Sequence, residues 1–214
     1  MTLEKPKTAS AEDTQERLLA AAIKLFAQQG FDGTSVKELA DAAGVNVSLI
    51  SYHFGGKENL YRTCLEQFGQ SRLASARRLL QPVQSLDEFR FRLTMFAEEV
   101  FVCHIDNSDT IRILNRECDM DHPIAHDVFQ NSFLKVFETL VGFFEAAKQL
   151  KLLREDIDAQ LAAQVFYGSL IHIARSNTIG EKFFGKSIRD VSYREALVSH
   201  IVSTCLFGCA RSSQ

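Results

Sequence analysis

The sequence predicts an all-α fold, and three observations carry the prediction. Apolar residues recur at spacings of three and four rather than two. Only three prolines occur, at positions 6, 82 and 123, so long stretches are free of helix breakers. Ser35 with Glu38, Ser85 with Glu88 and Ser192 with Glu195 have the spacing of a capping box, in which serine oxygen and glutamate each satisfy a free amide at a helix start.

In chain order, Leu18, Leu19, Ala22, Ile23, Leu25 and Phe26 predict a helix over about 14–29, with Gly30 placed as a left-handed C-terminal cap. A second helix opens at the Ser35–Glu38 box and ends at Gly44. The run "VNVSLISYHF" supplies Val45, Leu49, Ile50 and Phe54 as the buried side of a third. Helix, tight glycine turn and helix at this spacing form a helix-turn-helix. A long connector helix is predicted from Lys57 to Leu80, stopped by Pro82. Another helix opens at Ser85–Glu88 and buries Phe89, Leu93, Phe96 and Phe101, and a short one covers about 110–120.

Pro123 suits a first helical turn, and Phe129, Phe133, Val136, Phe137, Leu140, Phe143 and Phe144 then form one apolar stripe. The helix over about 157–176 is apolar on more than one side, and so is the last one, opened by Ser192 and Glu195. A helix apolar on two sides must be buried on two. These two helices are therefore expected to join two copies of the chain into a homodimer, with Ala162, Phe166, Ser169, Leu170, Ile173, Leu197, Ile201 and Cys205 at the interface.

Composition narrows the function. With 214 residues, 46% of them apolar and 24% charged, the chain reads as a soluble globular protein with a real core. It contains no signal peptide and no apolar run long enough to span a membrane, which places it in the cytoplasm. Five cysteines without paired CxxC spacing read as reduced thiols. Net charge is −3, and residues 1–60 carry six cations against eight anions, so nucleic-acid binding has to come from local geometry. No nucleophile elbow, HExxH, P-loop or GxGxxG occurs, and no enzyme is expected. Cys118, His122 and His126 are spaced at four and four, but Pro123 interrupts the helix between them, and neither metal nor other cofactor is expected.

Residues 14–61 resemble the DNA-binding domain of the TetR family of transcription regulators. The runs "LLAAAIKLFAQQGFDGTSV", "ELADAAGV" and "YHF..KENLY" follow one another in the family's order. The resemblance implies an N-terminal three-helix helix-turn-helix DNA-binding domain at 14–60 behind a flexible arm at 1–13. A larger helical bundle at 61–210 would bind ligand and dimerise. It implies a ligand-responsive regulator, a repressor by analogy, that binds a palindromic double-stranded DNA operator as a homodimer. A helical adaptor that binds a protein partner through its C-terminal helices, without DNA, is the competing reading.

By that analogy the helix from about 46 to 52 enters the major groove. Tyr52, His53 and Lys57 would lie along phosphates, and Thr34 and Ser35 would touch the backbone from the start of the preceding helix. Phosphate contacts give affinity rather than sequence choice. Choice would fall to Asn46, Val47, Ser48 and Ser51, whose short side chains can reach base edges or a thymine methyl. The family often has an aromatic residue where Ser51 stands, and proline with a serine-like cap where Gly55 and Gly56 stand. In the larger domain Phe101, His104, Arg112, Arg116, Asn131, Tyr167 and His172 are polar or aromatic residues of otherwise apolar helices. They are the candidate contacts for a small, mostly apolar effector.

Overall fold

In the computed structural model, residues 11–120 and 123–209 are described, without the side chains of 118–120, 123–125 and 208–209. The N-terminal ten residues of the expected arm, His122 and the Cys118 side chain lie outside that set. The elements are α1 (Ala11–Gly33), α2 (Val36–Ala43), α3 (Ser48–Phe54), α4 (Lys57–Leu79), α5 (Leu86–Asp106), α6 (Ser108–Met120) and α7 (Pro123–Val128). A π-helical turn (Phe129–Phe133) leads into α8 (Leu134–Gln149), followed by α9 (Ala159–Arg175), α10 (Asn177–Phe184) and α11 (Val191–Cys209). No strand occurs among the described residues, and none of their helices is long and apolar enough to cross a membrane.

The chain forms two compact units. The first takes residues up to Phe68 together with Asp109–Val128, so α6 and α7 belong with the N-terminal helices. Its core is small: Leu18, Ala22, Phe26, Leu39, Ile50, Leu60, Tyr61 and Leu65 are buried. The Tyr61 ring meets Phe26 edge-on at 4.8 Å and Phe31 at 5.1 Å.

The second unit, Gly69–Ser108 and Phe129 onward, has one aromatic-rich core. α8 packs on α9, and α5 on α9 and α11. Phe89 stacks on Phe143 at 4.8 Å and meets Phe144 edge-on at 5.2 Å, as the apolar stripe of α8 predicts. Two half-buried ion pairs link its helices, Arg72 with Glu99 at 3.0 Å and Arg194 with Glu98 at 2.5 Å.

Two expectations need correction, and one helix was not anticipated. α11 is capped by Asp190, whose Oδ1 accepts from the Tyr193 amide at 2.8 Å, so Ser192 and Glu195 lie inside the helix and form no box. α10 was hidden because its few apolar residues, Ile179, Phe183 and Phe184, face outward. Finally, Phe166, Leu170 and Ile201 are buried in the unit's own core and cannot face a second chain. Ala162, Ser169, Ile173, Leu197 and Cys205 are half-buried. The outward apolar row of α9 is instead Leu161 and Val165, the latter 71% exposed.

Candidate nucleic-acid interface

The Ser35–Glu38 box starts α2 as expected: Ser35 Oγ accepts from the Glu38 amide at 3.2 Å, and Glu38 Oε2 accepts from the Ser35 amide at 2.8 Å. The Ser35 hydroxyl, and after it the Ser35 amide, act on the Glu38 carboxyl and hold it below the usual carboxylate range. α2 ends at Gly44, in the left-handed region at φ 64°, ψ 40°. Arg17 fastens this turn from α1, donating to Ala43 O at 2.5 Å and Gly44 O at 2.9 Å.

Asn46 then starts α3. Its Oδ1 accepts from the Ser48 amide at 2.9 Å and from the Ser48 hydroxyl at 2.8 Å, the local bond by which asparagine begins a helix. From this start α3 turns Ile50 into the core and leaves Asn46, Val47, Ser48, Ser51 and Tyr52 exposed. Val47 is 48% and Tyr52 79% exposed. His53 is half-buried behind Tyr52, with ring centroids 4.9 Å apart.

Two of the anticipated backbone contacts are engaged inside the protein. Thr34 is 1% exposed, and its hydroxyl donates to Gly30 O at 2.7 Å, so its side chain cannot reach a phosphate. The cause is Gly30, at φ 78°, ψ 176°, which breaks α1 and turns that carbonyl toward Thr34. Lys57 Nζ donates to Phe31 O at 2.9 Å and Thr34 O at 3.0 Å, 4.2 Å from the Phe31 ring centroid. Two of its three protons therefore hold the α1–α2 turn. Ser35 is exposed.

The expected effector contacts divide between the two units. Arg112 and Arg116 belong to the first. Arg116 donates to Phe26 O at 3.0 Å and Ala27 O at 3.4 Å, carbonyls exposed by the break at Gly30, and Arg112 is exposed near Asp109 at 3.8 Å. Beside Arg116, the Tyr61 hydroxyl donates to the buried Glu117 carboxylate. Burial and that carboxylate push the tyrosine well above its ordinary range. In the second unit Asn131 and His172 are exposed, while Phe101, His104 and Tyr167 lie in or against the core. His104 Nδ1 is 2.8 Å from Val100 O, and burial lowers its pKa, favouring the neutral ring.

Sequence reasoning missed the role of Arg17, because no local pattern reveals a bond to a carbonyl 26 residues away. Arg116 was noticed, but an arginine in an apolar helix looks the same whether it faces a ligand or a broken helix 90 residues earlier. Among the described residues no group of three or more His, Cys, Asp or Glu is gathered as a metal site would require.

Comparison with known proteins agrees with this geometry. Residues 18–64, covering α1 to the start of α4, match the family described as bacterial regulatory proteins, tetR family. The N-terminal domain, α1 to the start of α4, is that of the TetR family of transcriptional regulators. The chain is 28% identical over 145 residues to YttP of Bacillus subtilis (strain 168), named a probable HTH-type transcriptional regulator, covering 65% of this chain and 68% of YttP. It is 33% identical over 98 residues, 44% of each chain, to the HTH-type transcriptional repressor NicS of Pseudomonas putida. The fold is shared beyond the matched domain. A TetR-family regulator from Mesorhizobium loti superposes with a TM-score of 0.68 at 18% identity, over 95% of this chain and all of that one. SmeT, the repressor of a Stenotrophomonas maltophilia multidrug efflux pump, gives 0.69 at 15% identity over 94% of each chain. Its triclosan complex gives 0.72 at 16% identity, over 94% of this chain and 93% of that one. These relatives are transcriptional regulators, not enzymes.

Proposed function

We propose that this TetR-family regulator is a homodimeric, ligand-responsive repressor that binds a palindromic operator and is released by a small, mostly apolar effector. The observation that carries it is the exposed face of α3, where Asn46, Val47, Ser48, Ser51 and Tyr52 stand clear of the core. Tyr52, His53, Ser35 and the remaining proton of Lys57 serve the phosphates, and the other α3 residues serve base edges. Two heads held about one DNA turn apart, or a multiple of it, would meet the halves of a palindrome.

Several features support the rest of the reading. Leu161 and Val165 on α9 and Ile179, Phe183 and Phe184 on α10 form the outward apolar surface offered to a second copy. Phe101, Tyr167 and the neutral His104, together with Phe96 and Phe137, provide an aromatic setting with few polar groups. SmeT, a fold neighbour, has a triclosan complex, in keeping with a small-molecule effector for this chain. Release requires the effector to favour one conformer by unequal affinity. α4, whose Lys57–Phe68 stretch belongs to the first unit and Gly69–Leu79 to the second, is the element through which such a shift would pass.

The test is fluorescence anisotropy with DNA from upstream of the protein's own gene and a scrambled duplex, across a salt series. The expected result is binding to the upstream duplex that weakens steeply with salt through counterion release. Equal binding to both duplexes at every salt, with no site recovered by random-site selection, would overturn the operator reading.

A further inference from the structure

At the start of α3 two exposed side chains, Asn46 and Ser48, are hydrogen-bonded to each other, which sets what each offers outward. Asn46 Oδ1 takes two donors, the Ser48 amide at 2.9 Å and the Ser48 hydroxyl at 2.8 Å. An amide carbonyl oxygen has two lone pairs, so both are occupied. The backbone N–H also settles the orientation of the amide group, because flipping Asn46 would set its NH2 against another donor. The Ser48 hydroxyl proton is spent on the same oxygen, since that oxygen has none to give. What remains outward on Asn46 is an NH2 with two donors. What remains on Ser48 is an oxygen that only accepts. Both side chains are exposed beside Val47.

We propose that α3 reads DNA with fixed polarity, Asn46 donating only, to the all-acceptor N7 and O6 edge of guanine, and Ser48 accepting only, from the exocyclic amine of cytosine or adenine. This rests on the proposed role of α3 as the groove-entering helix, and it goes further by naming the base. Asparagine in the major groove commonly reads adenine, accepting from N6 and donating to N7. Asn46 cannot make that pair, because it has no acceptor left. The adenine amine would instead face the Asn46 NH2, donor against donor.

The experiment is random-site selection with the full-length protein at one fixed salt, comparing wild type with Asn46→Asp, Asn46→Ser and Ser48→Ala. Aspartate and serine both remain good helix starts, so α3 keeps its cap while the amide donors vanish. Wild type is expected to select a G·C pair over A·T by about tenfold or more at one position of each half-site. Asn46→Asp and Asn46→Ser are expected to lose that preference at that position alone. Ser48→Ala returns one lone pair to Asn46 Oδ1, so A·T is expected to rise there to within about threefold of G·C. A merely structural role would not produce this coupling.

An A·T pair selected by wild type at the position the Asn46 variants alter overturns the inference. So does a uniform loss of affinity across all sequences in Asn46→Ser, which would place Asn46 on a phosphate; Asn46→Asp adds a carboxylate near the phosphates, so only its preference at that position is read. A selected site that the Asn46 variants leave unchanged overturns only the polarity assignment. No selected sequence at all overturns the reading of α3 itself, and this inference with it.

Discussion

The two units are held together in different ways. In the first, cations on backbone carbonyls join helices distant in sequence: Arg17 on Ala43 and Gly44, Lys57 on Phe31 and Thr34, Arg116 on Phe26 and Ala27. In the second, rings do the work, with Phe89, Phe143, Phe144 and Phe166 in contact along one core. A reading head must keep α3 outward and so has little interior to spend on packing. Directional bonds to carbonyls set its geometry with few buried atoms. A larger aromatic interior tolerates repacking, as the proposed effector site in that unit would require.

The largest effect should come from the ring-packed unit. Phe144→Ala, at a fully buried position between Phe89 and Phe166, is expected to cost about 3–5 kcal/mol in urea unfolding. A cost below about 1 kcal/mol would mean that the aromatic core is not what holds this unit.

The next prediction concerns pH in the first unit. Burial pushes the Cys64 thiol from 9.0 up to about 12. The folded pKa is raised, so the stabilisation is complete below pH 9 and is lost as pH climbs from 9 toward 12, when only the unfolded chain ionises. Stability should fall by about 1.4 kcal/mol per pH unit once well above pH 9, and Cys64→Ala should reduce that slope. An unchanged slope in the variant would remove Cys64 from the account.

Thr34→Val tests the carbonyl bonds directly. Losing the hydroxyl's bond to Gly30 O should cost about 1 kcal/mol in thermal unfolding while leaving the salt slope of DNA binding unchanged. A slope reduced by about one would restore Thr34 to the phosphate set. The smallest stability effect is expected on α3. Tyr52→Ala should change unfolding by no more than about 0.5 kcal/mol and yet weaken DNA binding, since its ring is outside the core. A large destabilisation with DNA affinity intact would reverse the assignment.

Much of the fold was legible because it is written locally. The Ser35–Glu38 box, the left-handed Gly44 and the start at Pro123 depend on residues within one turn of each other. The stripe of α8 was readable for the same reason, though a π-helical turn at Phe129–Phe133 precedes it and only Val136, Leu140, Phe143 and Phe144 of the stripe are fully buried. In the run 44–54 Ile50 is buried as its spacing predicts, while Val45, Leu49 and Phe54 are only half-buried. Which apolar side of α9 faces inward was not legible. Phe166 with Leu170 and Leu161 with Val165 are equally apolar rows, and only the positions of α5 and α8 choose between them.

By itself, the sequence determined the helices other than α10, most of their ends and the helix-turn-helix, since each follows from spacing within a few residues. Tertiary structure alone decided which charges are spent internally. A cation is taken out of service by a carbonyl, and the carbonyls that claim Arg17, Lys57 and Arg116 come from turns 23 to 90 residues away. No periodic pattern encodes such a meeting, because it depends on where the break at Gly30 and the turn at Gly44 bring the backbone in space.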